Sequence, residues 1–200
     1  CLIASGGHTA ICKVQDLNEI EIIGSTVDDA CGEAFDKVAR GLGLPYPGGV
    51  EIEKLALDGN CNIEMPLPFK GEEHFNLSYS GLKTAVINYI HNKEQKGEEY
   101  SKADVAASFQ NRAIGMLVDN TIRATLKYGY KTIVIAGGVG ANKLLRSKIS
   151  EEGKRHNINV IYPPLNLCTD NAAMIASETR ILIESGAQCA NIDLDGSANV

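Results

Sequence analysis

Three short glycine-containing stretches, SGG at 5–7, PGG at 47–49 and GGVGAN at 137–142, are places where backbone N–H groups can close on an anion. The last has the most specific context. It follows the β-branched run KTIVIAGG and opens a helix-like stretch, which brings a helix N-terminus and its partial positive charge to any ligand in the cleft. Two common phosphate loops are excluded. A dinucleotide fingerprint needs G-x-G-x-x-G, but Gly138 and Gly140 are followed by Lys143, and a Walker A loop needs GK[ST], which does not occur. For each stretch the competing reading is that the glycines merely serve turns.

Two carboxylates come next. Asp36 shares a helix face with Asp29, Glu33 and Arg40 at i±3, i±4 and i±7 spacing. It belongs either to a solvated salt-bridge face or to a ligand site, holding a hydroxyl or ammonium group near the SGG turn. Asp170, in LCTDNAAM, begins the last helical stretch, where it either caps the helix or ligates a metal. It cannot hold a metal alone, because such sites need several ligands. His8, His74, His91 and His156 form no HxxxH pair, and only His8 sits in a turn of interest. Nucleophilic chemistry is set aside: ASGGHTA lacks the G-x-S-x-G elbow around Ser5, and no Cys has a recognisable His context.

These groups need a scaffold, and hydrophobic periodicity predicts one. Residues 1–4 and 10–14 read as a hairpin around SGGHT, with EIEIIGST as a third strand. Ser25 or Thr26 can cap a helix over 28–42, with Asp28 and Asp29 in its first turn and Ala30, Ala34, Val38 and Leu42 as its buried stripe. LPYPGG then forces a turn, and 50–80 is polar and aperiodic, mostly loop. SGLKTAVINYIHN reads as a helix and KGEEYSK as an exposed link; 103–130 is a long amphipathic helix with Val105, Phe109, Leu117 and Ile122 among its apolar residues. KTIVIAGG has the continuous β-branched character of a central parallel strand. A helix over 141–156, a strand at NVIYPP and a helix over 170–185 complete an alternating α/β tail.

Composition narrows the function classes. At 200 residues, 44% hydrophobic and 22% charged, the chain suits one well-buried globular unit. A formal charge of -6 argues against a freestanding nucleic-acid binder, because phosphate binding needs clustered cations. Lys143, Arg146, Lys148, Lys154 and Arg155 form the one such cluster, and their helical spacing also fits a plain solvated face. Six cysteines without CxxC spacing, several within apolar runs, suit a reducing cytoplasm. No apolar run approaches the roughly 18 residues a bilayer span needs, so no membrane role is expected. A start at Cys1, inside a strand, suggests that upstream sequence has been removed.

Taken in order, SGGHT, DDACGEAFDKVARGLGLPYPGG, SYSGLKTAV, GGVGANKLLR and CTDNAAMIA closely resemble the bacterial form of the Kae1/TsaD family, and the match spans residues 1 to about 185. The resemblance implies an α/β, actin-like ATPase (ASKHA) fold of two lobes, with residues 1–200 as its C-terminal portion and the N-terminal metal-binding lobe absent. It implies transfer of a threonylcarbamoyl group from threonylcarbamoyl-adenylate to N6 of adenine 37 in tRNAs reading ANN codons. It also implies ligand positions. Ile3, Ala4, Ser5, Gly6, Gly7, Asp36, Gly49, Glu53 (where the family more often has Asp) and Asn142 match those that hold the adenylate-type nucleotide. Asp170 matches the ligand of a divalent metal, Fe2+ or alternatively Zn2+. No side chain is required as a nucleophile, because backbone donors and a metal would bind the charge that develops as AMP leaves. The family's other metal ligands are a His pair in an HxxxH motif on the absent lobe, so the isolated chain is expected to show little or no transfer. The implied partners are tRNA, a paralogous actin-like subunit similar to TsaB and a small ATPase similar to TsaE. Two other readings stay open: a small-metabolite kinase of the same fold, and a noncatalytic scaffold paralogue, which has no need of GGVGAN, Asp36 and Asp170 together.

Overall fold

The computed structural model describes residues 1–16 and 19–186. It divides into two compact units, Cys1–Thr169 and Asp170–Val200. In the first, SGGHT joins the expected hairpin: β1 (Leu2–Ala4) pairs antiparallel with β2 (Thr9–Asp16), in register Leu2 to Ile11 and Ala4 to Thr9. β2 in turn pairs antiparallel with β3 (Glu19–Ser25). The chain then leaves the sheet for α1 (Cys31–Gly41), α2 (Gly48–Ala56), α3 (Ser80–Lys96) and α4 (Lys102–Lys127). It returns as β4 (Thr132–Ala136) and, after α5 (Lys143–Arg155), as β5 (Asn159–Ile161). β4 runs parallel to β1 on one side and to β5 on the other, giving the order β3-β2-β1-β4-β5.

Period-2 alternation sets which face of the sheet is covered. In β4, Ile133 and Ile135 are buried while Thr132 and Val134 are exposed, and Leu2 pairs with Ile135 in the core. Phe35 and Val38 of α1, Ile52 of α2, Leu82 and Val86 of α3, Phe109 and Leu117 of α4 and Leu145 of α5 join the same hydrophobic cluster. Phe35 and Phe109 meet edge to face at 4.9 Å, a favoured aromatic geometry that fixes α1 against α4.

Several boundaries differ from expectation, each for a physical reason. α1 starts at Cys31 because Asp28 closes another helix: its carboxylate accepts from the backbone N–H of Tyr79 at 2.7 Å and of Ser80 at 3.2 Å, and from the Ser78 hydroxyl, at the start of α3. Thr26 does not cap α1 either; its hydroxyl donates to the Asp29 carbonyl at 2.7 Å. Residues 48–56, expected as turn and loop, form α2, whose missing local cap is supplied through space by Asp36. Residues 57–79 carry no helix or strand beyond an isolated bridge between Thr26 and Leu77. α5 begins at Lys143 because a single 3-10 turn, Gly138–Ala141, comes first.

The basic cluster on α5 is only in part a solvated face: Lys143, Lys154 and Arg155 are exposed, whereas Arg146 and Lys148 are tied into the fold. Arg146 donates to the Gly140 carbonyl at 2.7 Å and the Pro163 carbonyl at 3.0 Å and lies over the Tyr162 ring. Lys148 donates to Asn111 at 2.6 Å, and Arg155 pairs with Glu151 and Glu152. Cys12, Cys31 and Cys168 are buried free thiols, packed as small hydrophobes, while Cys189 lies outside the described residues. In the second unit, α6 (Ala172–Glu184) is capped by Asn171, whose side chain accepts from the Met174 N–H at 3.2 Å. Asp170 is therefore not the cap. Among the described residues, no helix is long and apolar enough to cross a membrane.

Candidate functional site

The change of direction within the sheet decides where a ligand can sit. From β1 the chain moves to β2 on one side, and its later return adds β4 on the other, so connections diverge between two parallel neighbours. In open α/β sheets the crevice forms at the carboxyl ends of such a pair. Here those ends carry SGG and GGVGAN, and two turns distant in sequence stand side by side. The contact is close. A Cβ on Gly137, at φ 90°, would come within 2.3 Å of the Ala4 carbonyl oxygen, so the approach requires glycine.

Each neighbouring helix start is drawn to this crevice by a contact from another element. α1 has no side-chain cap of its own. Instead the Thr9 hydroxyl oxygen, on a residue only 2% exposed, accepts from the Cys31 N–H at 2.8 Å. The Ser5 carbonyl accepts from the Gly32 N–H at 3.0 Å. A Cβ on Gly32 would lie 2.6 Å from the Ser5 oxygen, so the SGG turn rests directly on the start of α1. One turn along α1, Asp36 Oδ1 accepts from the Gly48 N–H at 2.8 Å and closes α2. From α2, Glu53 Oε1 accepts from the Lys143 N–H at 2.8 Å, at the start of α5. Asn142, the N-cap of α5, accepts from the Leu145 N–H at 3.0 Å and donates to Gln110 Oε1 on α4 at 2.9 Å. The 3-10 turn then leads back to Gly137 and Ala4.

The candidates Ile3, Ala4, Ser5, Gly6, Gly7, Asp36, Gly49, Glu53 and Asn142 thus lie along one closed ring of contacts at the β1–β4 crevice. Ser5 shapes the turn: its hydroxyl oxygen accepts from the N–H groups of Gly7 at 3.3 Å and His8 at 3.0 Å. A Cβ on Gly6, Gly7 or Gly49 would meet nothing within 4 Å, so all three leave backbone open to an approaching group. α1, α2 and α5 each begin on the ring; the contacts above engage two first-turn N–H groups of α1, one of α2 and two of α5, fewer than the four that a helix start leaves over.

Electrostatics separates structural from available groups. Asp29 beside the ring is structural: burial opposes its ionisation, but hydrogen bonds from Lys37 and Lys83, both at 2.7 Å, outweigh it and hold the carboxyl at about 2. The Cys31 thiol is pushed up to about 12 by burial, which removes it as a nucleophile. Asp170 lies exposed in the second unit. Among the described residues, no three His, Cys, Asp or Glu side chains come together to hold a metal, and one exposed carboxylate does not make such a site.

Sequence reasoning missed Thr9, Gly32 and Gln110. Thr9 passes for an ordinary strand residue and Gly32 for a weak helix residue. Gln110 left a trace: it interrupts the apolar run of α4 between Phe109 and Ala113, both fully buried.

A family model described as TsaD, tRNA N6-adenosine threonylcarbamoyltransferase, matches residues 1–177. Among curated relatives of that description, the Bacillus subtilis protein is 50% identical over 196 residues, which is 98% of this chain and 56% of its own length. One from Clostridium botulinum is 51% identical over 178 residues, covering 88% of this chain and 52% of its own. The chain therefore spans about half the length of the curated relatives it matches. Among solved structures, full-length HypF in its phosphate- and nucleotide-bound form matches with a TM-score of 0.66 at 17% identity, over 94% of this chain and 34% of that one. HypF of T. kodakarensis matches with a TM-score of 0.59 at 18% identity, over 80% and 21%. These likenesses bear out the α/β, actin-like fold.

Proposed function

The chain belongs to the TsaD family of tRNA N6-adenosine threonylcarbamoyltransferases, and on that premise we propose that it is the nucleotide-holding part of a t6A-forming enzyme. The reaction is transfer of threonylcarbamoyl from threonylcarbamoyl-adenylate to N6 of adenine 37 in tRNAs reading ANN codons. The observation that carries this reading is the ring around the β1–β4 crevice, which gathers two glycine turns, three helix starts and two carboxylates. Backbone N–H groups of the SGG turn take the adenylate phosphate. Asp36 and Glu53 each engage one carboxylate oxygen in capping, and the other suits a hydroxyl of the ligand. In the transfer, the adenine amine attacks the carbamoyl carbonyl: an N6–C bond forms, the bond from that carbon to the phosphate oxygen breaks, and AMP leaves as N6 loses a proton. Fixed donors on the phosphate lower the barrier by binding charge as it develops on the leaving group.

Asp170 enters the proposal as a single ligand of a divalent metal, Fe2+ or Zn2+, and the remaining ligands come from an N-terminal lobe outside these residues. With Arg146 and Lys148 tied into the fold and a charge of -6, tRNA binding is shared with other subunits, one similar to TsaB and a small ATPase similar to TsaE, in the cytoplasm.

The test uses Gly6→Val. Open space around Gly6 lets the fold accept the substitution, while a ligand phosphate on the turn collides with it. Calorimetric titration with AMP should show binding to the unmodified chain and a loss of about tenfold or more in the variant, with an unchanged melting temperature. Equal affinity in the two proteins would sink the reading.

A further inference from the structure

Between α4 and α5 lies a buried hydrogen bond from one side chain to another: Asn142 Nδ2 donates to Gln110 Oε1 at 2.9 Å, with the residues 8% and 6% exposed. An apolar residue at 110 would pack between α4 and its neighbours without the desolvation that a primary amide carries. Gln110 instead fixes one atom of Asn142. The other end of that amide is fixed too, since Asn142 Oδ1 accepts from the Leu145 N–H. Together the two contacts hold the amide in one orientation, oxygen to the helix start and nitrogen to α4. Nδ2 carries two hydrogens and Gln110 takes one. The second is left in a direction set by the amide plane. Gln110 also lines a cavity of about 510 Å³ between α2, α4 and α5, together with Glu53 and Lys143 of the ring.

We propose that Gln110 is a positioning residue for nucleotide binding: it orients the Asn142 amide so that its free N–H meets the ligand. This rests on the reading in which Asn142 binds the adenylate. Gln110 acts through Asn142, so its effect must vanish when the Asn142 amide is gone.

The experiment is a double-mutant cycle on the chain, read by AMP affinity in calorimetry. Gln110→Met removes the acceptor at similar volume. Asn142→Ser removes the amide nitrogen but keeps a good helix cap. Gln110→Met should weaken AMP binding about five- to tenfold in the unmodified background and leave it unchanged in the Asn142→Ser background. Equal losses in both backgrounds, or no loss in the first, would overturn the inference. A ligand-free measurement accompanies it. In nitrogen–proton spectra the Asn142 side-chain amide should show one proton protected from exchange, and Gln110→Met should abolish that protection; an unprotected amide in the unmodified chain counts against the inference. If the unmodified chain binds no AMP, the adenylate reading and the role of Gln110 toward it fall together. If it binds AMP and only the cycle fails, the adenylate reading survives and the inference alone is lost.

Discussion

At Asp29 two lysines from different helices, Lys37 of α1 and Lys83 of α3, meet one carboxylate that is mostly buried. Its folded pKa of about 2 lies below its ordinary 3.8, so the stabilisation is complete above the higher value and is lost as pH falls through the lower. Asp29→Asn should cost about 1–2 kcal/mol at neutral pH. The gap in urea midpoint between variant and unmodified chain should close by about pH 2; a gap independent of pH would show that the ion pairs do not stabilise the fold. Asp36 makes the complementary point about legibility. Counting i±3 and i±4 positions finds its neighbours on α1 but not its partner, the Gly48 N–H, which belongs to the next helix. Residue type marked Asp36 as a candidate, whereas its contact is a product of tertiary packing.

Among the helices of the first unit, α4 is closed by its own Ser101, which accepts from the Asp104 N–H. α1, α2 and α3 are closed from elsewhere, by Thr9, Asp36 and Asp28, and α5 shares its closure between Asn142 and Glu53. The two kinds of cap should respond differently to mutation. Thr9→Val and Ser101→Ala should each cost about 1–2 kcal/mol in urea unfolding. Only Thr9→Val should also weaken AMP binding, because it removes one of the two hydrogen bonds that hold the hairpin to the start of α1; equal AMP affinity in both variants would separate the ring from the ligand. The same distinction explains what the sequence showed. The hairpin, the long amphipathic α4 and the β-branched β4 carry local signals and were legible. α2 was not, because GGVEIEKLA is short and its cap lies twelve residues upstream. The start of α1 was misplaced because Asp28 resembles a first-turn acid while serving α3. Side-by-side placement of the glycine turns depends on β1–β4 pairing, which no local pattern encodes.

Nine of the ten candidate residues fall within Cys1–Thr169, together with the whole hydrophobic cluster, while α6 has no buried residue. A chain ending at Thr169 should therefore keep the urea midpoint and AMP affinity of the 200-residue chain. A marked fall in either would show that residues 170–200 support the first unit. Transfer to tRNA is expected to be absent from both chains and to need a lobe of the kind that the longer relatives have room for; robust t6A formation by the 200-residue chain alone would refute that division of labour. The β1–β4 pairing also sets a timetable for biosynthesis. Leu2 must wait for Ile135, and at about 5–20 residues per second the ribosome needs on the order of ten seconds to deliver it. Throughout that interval the inner edge of β1 has no strand to pair with, a condition that favours misassociation of nascent chains. Fusions or rare codons that lengthen the delay between residues 25 and 132 should therefore lower soluble yield without altering the finished fold.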